Sequence, residues 1–246
     1  MTSSVSRETI GFQQDPISML KPSSSTYPEH LSAEQKQKLD DYARLLFDVN
    51  KQFNLVSRGD IAHVISHHIV HCLALSQKSV SRGTHVVDWG SGGGLPAIPL
   101  AIVWPDIQVV GVDSNGKKTK SIDLFCRRLG ISNCTSWHGR AEEAVGAFQY
   151  SVSRATAPLV DLWSWHNRVF EAGNAEEEEA KEEADGRWRE GLICLKGGDL
   201  IQEIKDLATR YPHVRVEVTP LSGWNRDPFY DSKYTVEVFE SASTPI

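Results

Sequence analysis

The chain has 246 residues, 40% of them hydrophobic and 24% charged, which is the composition of an ordinary globular protein with its own core. No apolar run approaches the ~20 residues that a membrane-spanning helix needs. The first residues lack a secretion signal, and the four cysteines are scattered without a C-x-x-C pair. The composition therefore predicts a cytoplasmic protein with reduced thiols, no membrane partner and no metal site.

The formal charge of −6 is concentrated in one segment. Residues 171–190 contain nine acids and three bases, a difference equal to the whole net charge, so the rest of the chain is formally neutral. The low-complexity part, residues 174–190, is predicted to be an acidic insertion that forms a solvated loop or a frayed helix. The overall acidity therefore does not argue against a nucleic-acid partner for the body of the protein.

The N-terminal part divides into a tail and a helical cap. Residues 1–30 are rich in Ser, Thr and Pro and show little apolar periodicity, which predicts a disordered tail. Residues 31–80 are predicted to form a helical cap. Ser32 and Gln35 make a capping-box pattern ahead of apolar residues at helical spacing, and a second helix is predicted over residues 60–77.

The remaining chain, residues 81–246, alternates apolar strand-like runs with helix-like segments. Such βα units predict an α/β, Rossmann-like domain: a mostly parallel seven-stranded sheet with helices on both faces. The last two runs, 214–218 and 234–239, have period-two alternation and no helix between them. One of these two strands is therefore predicted to be antiparallel.

A glycine-rich loop follows the first predicted strand. Asp88 precedes the G-x-G-x-G pattern of residues 90–94, and Pro96 begins a predicted helix. Glycines let the backbone approach a ligand closely, and the helix start offers free N–H groups to a carboxylate or phosphate. Leu95 occupies the third glycine position of the dinucleotide pattern G-x-G-x-x-G, which disfavours a nicotinamide or flavin site. The register is typical of class I methyltransferases.

The second predicted strand ends in Asp113. A carboxylate at this position can accept hydrogen bonds from both ribose hydroxyls of an adenosine. The alternative is a structural glycine turn with Asp113 as a helix cap. The glycine loop, the helix that begins at Pro96 and the acid at the end of the next strand occur at the spacing of a nucleoside site, and their combination favours that interpretation.

Seven short blocks follow one another along the chain: Asn50 to Val56, His68 to Leu73, Val87 to Leu100, Asp113-Ser114 with Lys117-Lys118, Gly139 to Glu143, Ser153-Arg154-Ala155 and Leu195-Lys196-Gly197. In these blocks and in their order the chain resembles a known family, the RsmG/GidB family of 16S rRNA guanine-N7 methyltransferases. The resemblance covers about residues 39–200 and departs from the family pattern at Val49, His71 and Ala97. The segment from Gly94 to Leu100 (G-L-P-A-I-P-L) is far more specific than the glycine loop alone.

This resemblance implies S-adenosylmethionine as cofactor and small-subunit rRNA, or the 30S particle, as partner. It implies cofactor contacts for Gly90, Leu95, Ala141, Glu142 and Arg154. The alternative for Arg154 is a structural ion pair. The full predicted cofactor set is Gly90, Ser91, Gly92, Gly94, Leu95, Asp113, Arg140, Ala141, Glu142 and Arg154.

No catalytic residue is predicted. Guanine N7 carries a lone pair and no proton, so it can attack a sulfonium methyl group without a general base. The rate would then come from alignment and electrostatics.

Other side chains are candidates for RNA contact. The basic residues after the second strand are predicted to meet phosphates, the alternative being a solvated helix face. These are Lys117, Lys118, Lys120, Arg127 and Arg128. Base stacking is a weaker hypothesis for Trp163, Trp165 and Trp224. His63, His67 and His71 recur at i, i+4 and i+8, which can be metal-ligand spacing, but a polar or RNA-contacting helix face is favoured because no acid or cysteine cluster completes a site.

Two other functions stay open at this point. One is methyl transfer to another RNA or to a small molecule. The other is binding of cofactor and RNA without catalysis. A monomer is the default expectation.

Overall fold

The computed structural model describes residues 27–57, 59–172 and 186–240. Its centre is a seven-stranded sheet in the order β3-β2-β1-β4-β5-β7-β6. Strands β1 to β5 run parallel, and β7 lies antiparallel between β5 and β6. The α/β class, the seven strands and an antiparallel strand near the end of the chain are all confirmed. The strands are β1 His85–Trp89, β2 Gln108–Asp113, β3 Cys134–His138, β4 Tyr150–Arg154, β5 Gly191–Gly197, β6 Val214–Pro220 and β7 Lys233–Glu240.

Helices cover both faces of this sheet. Successive side chains of β1 point to opposite faces of the sheet, and each face has its own hydrophobic cluster. Val86 is buried in the cluster that includes α1, α2, α3 and α4. Val87 is buried in the cluster that includes α5 and α6. The cap helices thus share a core with the sheet. The helices are α1 Ala33–Asn50, α2 Val70–Leu73, α3 Ala97–Val103, α4 Gly116–Leu129, α5 Leu159–Val169 and α6 Ile201–Arg210.

Helix α1 begins as predicted. Ser32 accepts a hydrogen bond from the backbone N–H of Gln35, whose side chain accepts one from the Ser32 N–H. The Gln35 amide also donates to the carbonyls of Ile102 and Val103, at 3.2 and 3.1 Å. Gln35 therefore also connects the start of α1 to the C-terminal end of α3.

The second cap helix is less regular than predicted. A 3-10 turn at Ile61–His63 leads into a π-helical stretch, Val64–Ile69, then α2, then a 3-10 turn at Ala74–Gln77. The stretch is rich in β-branched residues, which lower α-helix propensity. All of residues 69–75 are also buried, so tertiary packing sets the local geometry.

Two predicted boundaries need correction. Tyr27 is buried and its hydroxyl donates to Asp40 at 2.7 Å, so order extends into the predicted tail. At the end of the predicted acidic insertion, Trp188 is also buried, and its indole N–H donates to the Leu75 carbonyl at 2.7 Å. Residues 186–190 are therefore not a solvated loop. The rest of both segments, residues 1–26 and 174–185, lies outside the described residues.

Within the three described ranges, no helix combines the length and the apolar character needed to cross a membrane.

Candidate functional site

A cavity of about 740 Å³ opens at the carboxyl ends of β1, β2 and β4. The glycine loop after β1 forms its centre. Asp113 and the turn after β3 line one side, Arg154 and the residues that follow β4 line the other, and the cap contributes Leu55, Val56, Ser57 and His68. This is the edge of a parallel sheet at which ligands of open α/β folds bind.

The conformation and position of the glycine loop are fixed by its positive φ angles and by hydrogen bonds to β2. Gly90 and Gly92 have positive φ angles of 71° and 59°, a conformation that side-chain-bearing residues rarely adopt. The Ser91 N–H donates to the Val112 carbonyl at 2.9 Å, and the Gly92 N–H donates to the Asp113 carboxylate at 3.0 Å. The loop is therefore fastened to the end of β2, and it exposes backbone to the cavity.

Gly94 is the one predicted cofactor residue that does not line the cavity. Its φ is 96°, and a Cβ there would lie 2.6 Å from Ile98 Cδ1, on the core side of the loop. Its neighbour Gly93 lines the cavity instead, and the Gly93 carbonyl accepts a hydrogen bond from the buried Tyr42 hydroxyl at 2.8 Å. Helix α1 thus supports the loop from behind.

The predicted anion-binding helix start is already occupied. The first N–H of α3, from Ala97, donates to the buried carboxylate of Asp88 at 3.0 Å. Ile98 and Leu100 donate their N–H groups to the carbonyls of Gly94 and Pro96, and Pro99 has no N–H. Helix α3 therefore offers no free donors to a ligand, and Asp88 has a structural role.

We expect Asp88 to make stability depend on pH. Burial raises the pKa of this carboxyl from 3.8 to about 7, partly offset by hydrogen bonds and Arg154. The folded protein then binds a proton that the unfolded chain releases, so this contribution to stability is complete below pH ~4 and is lost as pH rises to ~7.

Asp88→Asn keeps the acceptor for the Ala97 N–H without a titrating charge. Its stability relative to the wild type should increase from pH 4 to pH 7 and level off above that, as measured by chemical unfolding at each pH. A difference that stays constant with pH would contradict the assignment.

Asp113 ends β2 with its carboxylate at the cavity. One oxygen accepts from the Gly92 N–H and the other accepts from the Asn115 N–H at 2.8 Å. Each carboxylate oxygen can accept a further bond. Asn115 caps α4 by accepting from the Lys117 N–H, so the cap role considered for Asp113 belongs to Asn115.

Arg154 ends β4 on the other side of the loop. Its Nη1 donates to His68 Nδ1 at 3.0 Å, and its buried Nε has no hydrogen-bond partner among the described residues. No ion pair to Arg154 is found in the described part of the chain, which weighs against the structural ion-pair alternative.

The other predicted cofactor residues Ser91, Leu95, Arg140, Ala141 and Glu142 also line the cavity. Sequence reasoning missed several lining residues. The cap residues Leu55, Val56 and His68 lie in blocks that carry the family resemblance, and this was the available signal. The further missed residues are Ser57, Gly93, Val112, Ser114, Gly139, Ala155 and Thr156.

The five basic residues predicted to contact RNA all lie on α4, but they do not share one environment. Lys118 lines the cavity and lies 3.8 Å from the Asp113 carboxylate, so it faces the cavity rather than solvent. The other four are exposed, and at 100° per residue they fall within about 100° of the helix circumference. We call them the α4 basic stripe: Lys117, Lys120, Arg127 and Arg128.

The tryptophan and histidine hypotheses are corrected in part. Trp163 is 1% exposed and cannot stack on a base, whereas Trp165 lines the cavity. His71 is buried, contrary to a polar helix face, and the rings of His67 and Phe229 stack at 4.1 Å. No cluster of three potential ligands suited to a metal ion occurs among the described residues.

The strand order, the glycine loop and the strand-end acid together define the class I methyltransferase fold. Among solved structures, the chain is similar to a precorrin-6y C5,15-methyltransferase from Geobacter metallireducens, with TM-score 0.51 and 12% identity, covering 70% of this chain and 88% of that one. It is also similar to a ribosomal protein L11 methylase from Lactobacillus delbrueckii, with TM-score 0.51 and 11% identity, covering 72% and 80%. At such identities the likeness shows the fold alone.

Sequence comparison identifies the family. The model of the GidB family, rRNA small subunit methyltransferase G, matches residues 35–176, and this chain belongs to that family. The ribosomal RNA small subunit methyltransferase G of Salinibacter ruber is 44% identical over 209 residues, covering 85% of this chain and 94% of the relative. That of Chlorobium phaeobacteroides is 39% identical over 214 residues, covering 84% and 88%. The predicted family and enzyme class are confirmed.

Proposed function

We propose that this chain transfers a methyl group from S-adenosylmethionine to N7 of a guanine in small-subunit rRNA. One observation carries the proposal: the cavity has two different ends, separated by the glycine loop. The Asp113 carboxylate lies at one end and the Arg154 guanidinium at the other, with strand β1 between their strands. S-adenosylmethionine has a ribose diol at one end and a carboxylate at the other.

The residues present fit this cofactor. Asp113 can accept from the ribose hydroxyls, and the guanidinium of Arg154, which lines the cavity, can donate to the methionine carboxylate. Leu95, Val112 and Ala141 supply apolar walls for the adenine. When bound, the cofactor supplies an electrophilic methyl group on a sulfonium sulfur.

The remaining task of the protein is alignment rather than proton transfer. Guanine N7 has no proton to remove, so holding it in line with the methyl group supplies the rate. His68, the imidazole that lines the cavity, already donates to Asp60 and accepts from Arg154. Both ring nitrogens are therefore engaged, which agrees with a reaction that needs no general base.

The α4 basic stripe is proposed to bind RNA phosphates. Replacing Lys117 and Lys120 by Gln should weaken RNA binding and lower the slope of log affinity against log salt by about 1.4–1.8, since each lost phosphate contact removes about 0.7–0.9. Affinity for the cofactor should not change.

A matched control is Lys205→Gln with Arg215→Gln, two exposed bases on α6 and β6 at the opposite edge of the sheet. Filter binding across a salt series measures both pairs. An equal loss of salt dependence in the two double variants would show that the α4 basic stripe is not a specific RNA-binding surface.

The proposed partner is 16S rRNA, either naked or in the 30S particle. The protein is proposed to act on it as a monomer in the cytoplasm. The test is transfer of a tritiated methyl group to both substrates from cells that lack this gene, followed by nucleoside analysis. Labelled 7-methylguanosine is the expected product. Cofactor binding without label in either substrate would refute the rRNA assignment and redirect the search to other RNAs and small molecules.

A further inference from the structure

Three side chains form a chain of contacts from the cap to the cavity. The Asp60 carboxylate contacts His68 Nε2, and His68 Nδ1 contacts Arg154 Nη1 at 3.0 Å. Asp60 and His68 belong to the cap, whereas Arg154 ends β4, 86 residues further along the chain than His68. The arrangement joins two parts of the molecule at the cofactor-binding end of the sheet.

The partners define the state of the imidazole. A guanidinium can only donate, so His68 Nδ1 must be an acceptor, and a carboxylate accepts, so Nε2 carries the proton. His68 is therefore neutral. Burial and the charge of Arg154 agree, since they lower the pKa of His68 to about 4 despite the opposing effect of Asp60.

Asp60 is well suited to hold this tautomer. It also accepts from His67 Nδ1 at 3.1 Å. Burial opposes its ionisation, but the bonds from His67 and His68 keep its pKa below the ordinary value. The carboxylate is thus ionised at neutral pH and keeps the proton of His68 on Nε2.

We propose that His68 is a positioning residue: held as the Nε2–H tautomer by Asp60, it orients Arg154 so that the guanidinium faces the carboxylate of the bound cofactor. This inference rests on the proposed function. Arg154 lines the cavity, and with Nη1 fixed by His68 the planar guanidinium cannot turn freely, so its orientation toward the cavity is maintained.

The proposal predicts that the cap contributes to cofactor affinity through Arg154. His68→Ala should weaken binding of S-adenosylhomocysteine by about tenfold, the usual worth of one hydrogen bond to a charged group. At saturating RNA, the KM for S-adenosylmethionine should rise far more than kcat falls. His68→Gln, whose amide can accept from Arg154 and donate to Asp60, should recover most of the affinity.

A double-mutant cycle separates positioning from direct contact. Calorimetric titration with S-adenosylhomocysteine is made for His68→Ala, Arg154→Ala and the double variant. If His68 acts through Arg154, its removal has no further effect once Arg154 is absent. His63→Ala is the control, because His63 lies on the same helical segment but does not line the cavity.

Additive losses in the cycle would overturn the proposal, because His68 would then act independently of Arg154. If Arg154→Ala does not fold, Arg154→Lys replaces it in the same cycle. Nitrogen NMR of the wild type should show His68 as the Nε2–H tautomer at neutral pH, and the opposite tautomer would also overturn the proposal. A wild-type protein that binds no cofactor would refute the proposed function as well, whereas wild-type binding with additive losses refutes the role of His68 alone.

Discussion

Gly90→Ala should abolish useful cofactor binding. A Cβ at this position would lie 2.9 Å from Thr156 Cβ and closer still to its Oγ1 and Cγ2 atoms. Thr156 cannot move away freely, because its hydroxyl donates to the Trp89 carbonyl at 3.0 Å. Any shift of Thr156 therefore displaces the segment that directly follows Arg154. Overpacking of this kind costs about 1–3 kcal/mol, to which the positive φ of 71° adds about 1–2 kcal/mol.

The control is Gly83→Ala, at the opposite end of β1. Gly83 has a similar φ of 77°, but an added Cβ would meet no atom within 4 Å. This variant should lose about 1–2 kcal/mol of stability and no cofactor affinity. Thermal unfolding and calorimetric titration with S-adenosylhomocysteine measure both. Equal losses of stability and of cofactor affinity in the two alanine variants would show that the close contact with Thr156 is unimportant. Adding Thr156→Gly to Gly90→Ala should restore part of the cofactor affinity.

Asp113→Asn should weaken cofactor binding by at least about tenfold. An amide has one acceptor oxygen, so it cannot accept both backbone bonds and also hold two ribose hydroxyls. Each hydrogen bond to a charged group is worth about 1.5–3 kcal/mol, or roughly 10–150-fold in affinity. The bond from Gly92 or the bond from Asn115 is also lost, so the glycine loop should loosen.

Asp106→Asn is the matched control. Asp106 precedes β2, and its half-exposed carboxylate pairs with Arg82 at 2.7 Å, away from the cavity. Such surface pairs contribute about 0–1 kcal/mol, so cofactor affinity should stay at the wild-type value. Calorimetric titration compares the two variants. Wild-type affinity in Asp113→Asn would exclude Asp113 from the ribose site.

Much of the site could be predicted because its signals are local. The glycine loop follows β1, Asp113 ends β2 and Arg154 ends β4, and parallel strands bring their carboxyl ends to one edge of a sheet. Gly93 and Gly94 could not be distinguished in this way. Which of two neighbouring glycines faces the cavity depends on the side chain behind it, here Ile98 against Gly94.

The sequence by itself determined the strands, most of the helices, the cofactor class and the family, because hydrophobic periodicity, turn glycines and family blocks are local properties. Only the tertiary structure decided that Asp88 occupies the start of α3, that Tyr42 supports the glycine loop and that His68 holds Arg154. These contacts join residues that are 9, 51 and 86 positions apart in the chain. The geometry of such contacts arises when the cap and the sheet share one core, and no local pattern encodes it.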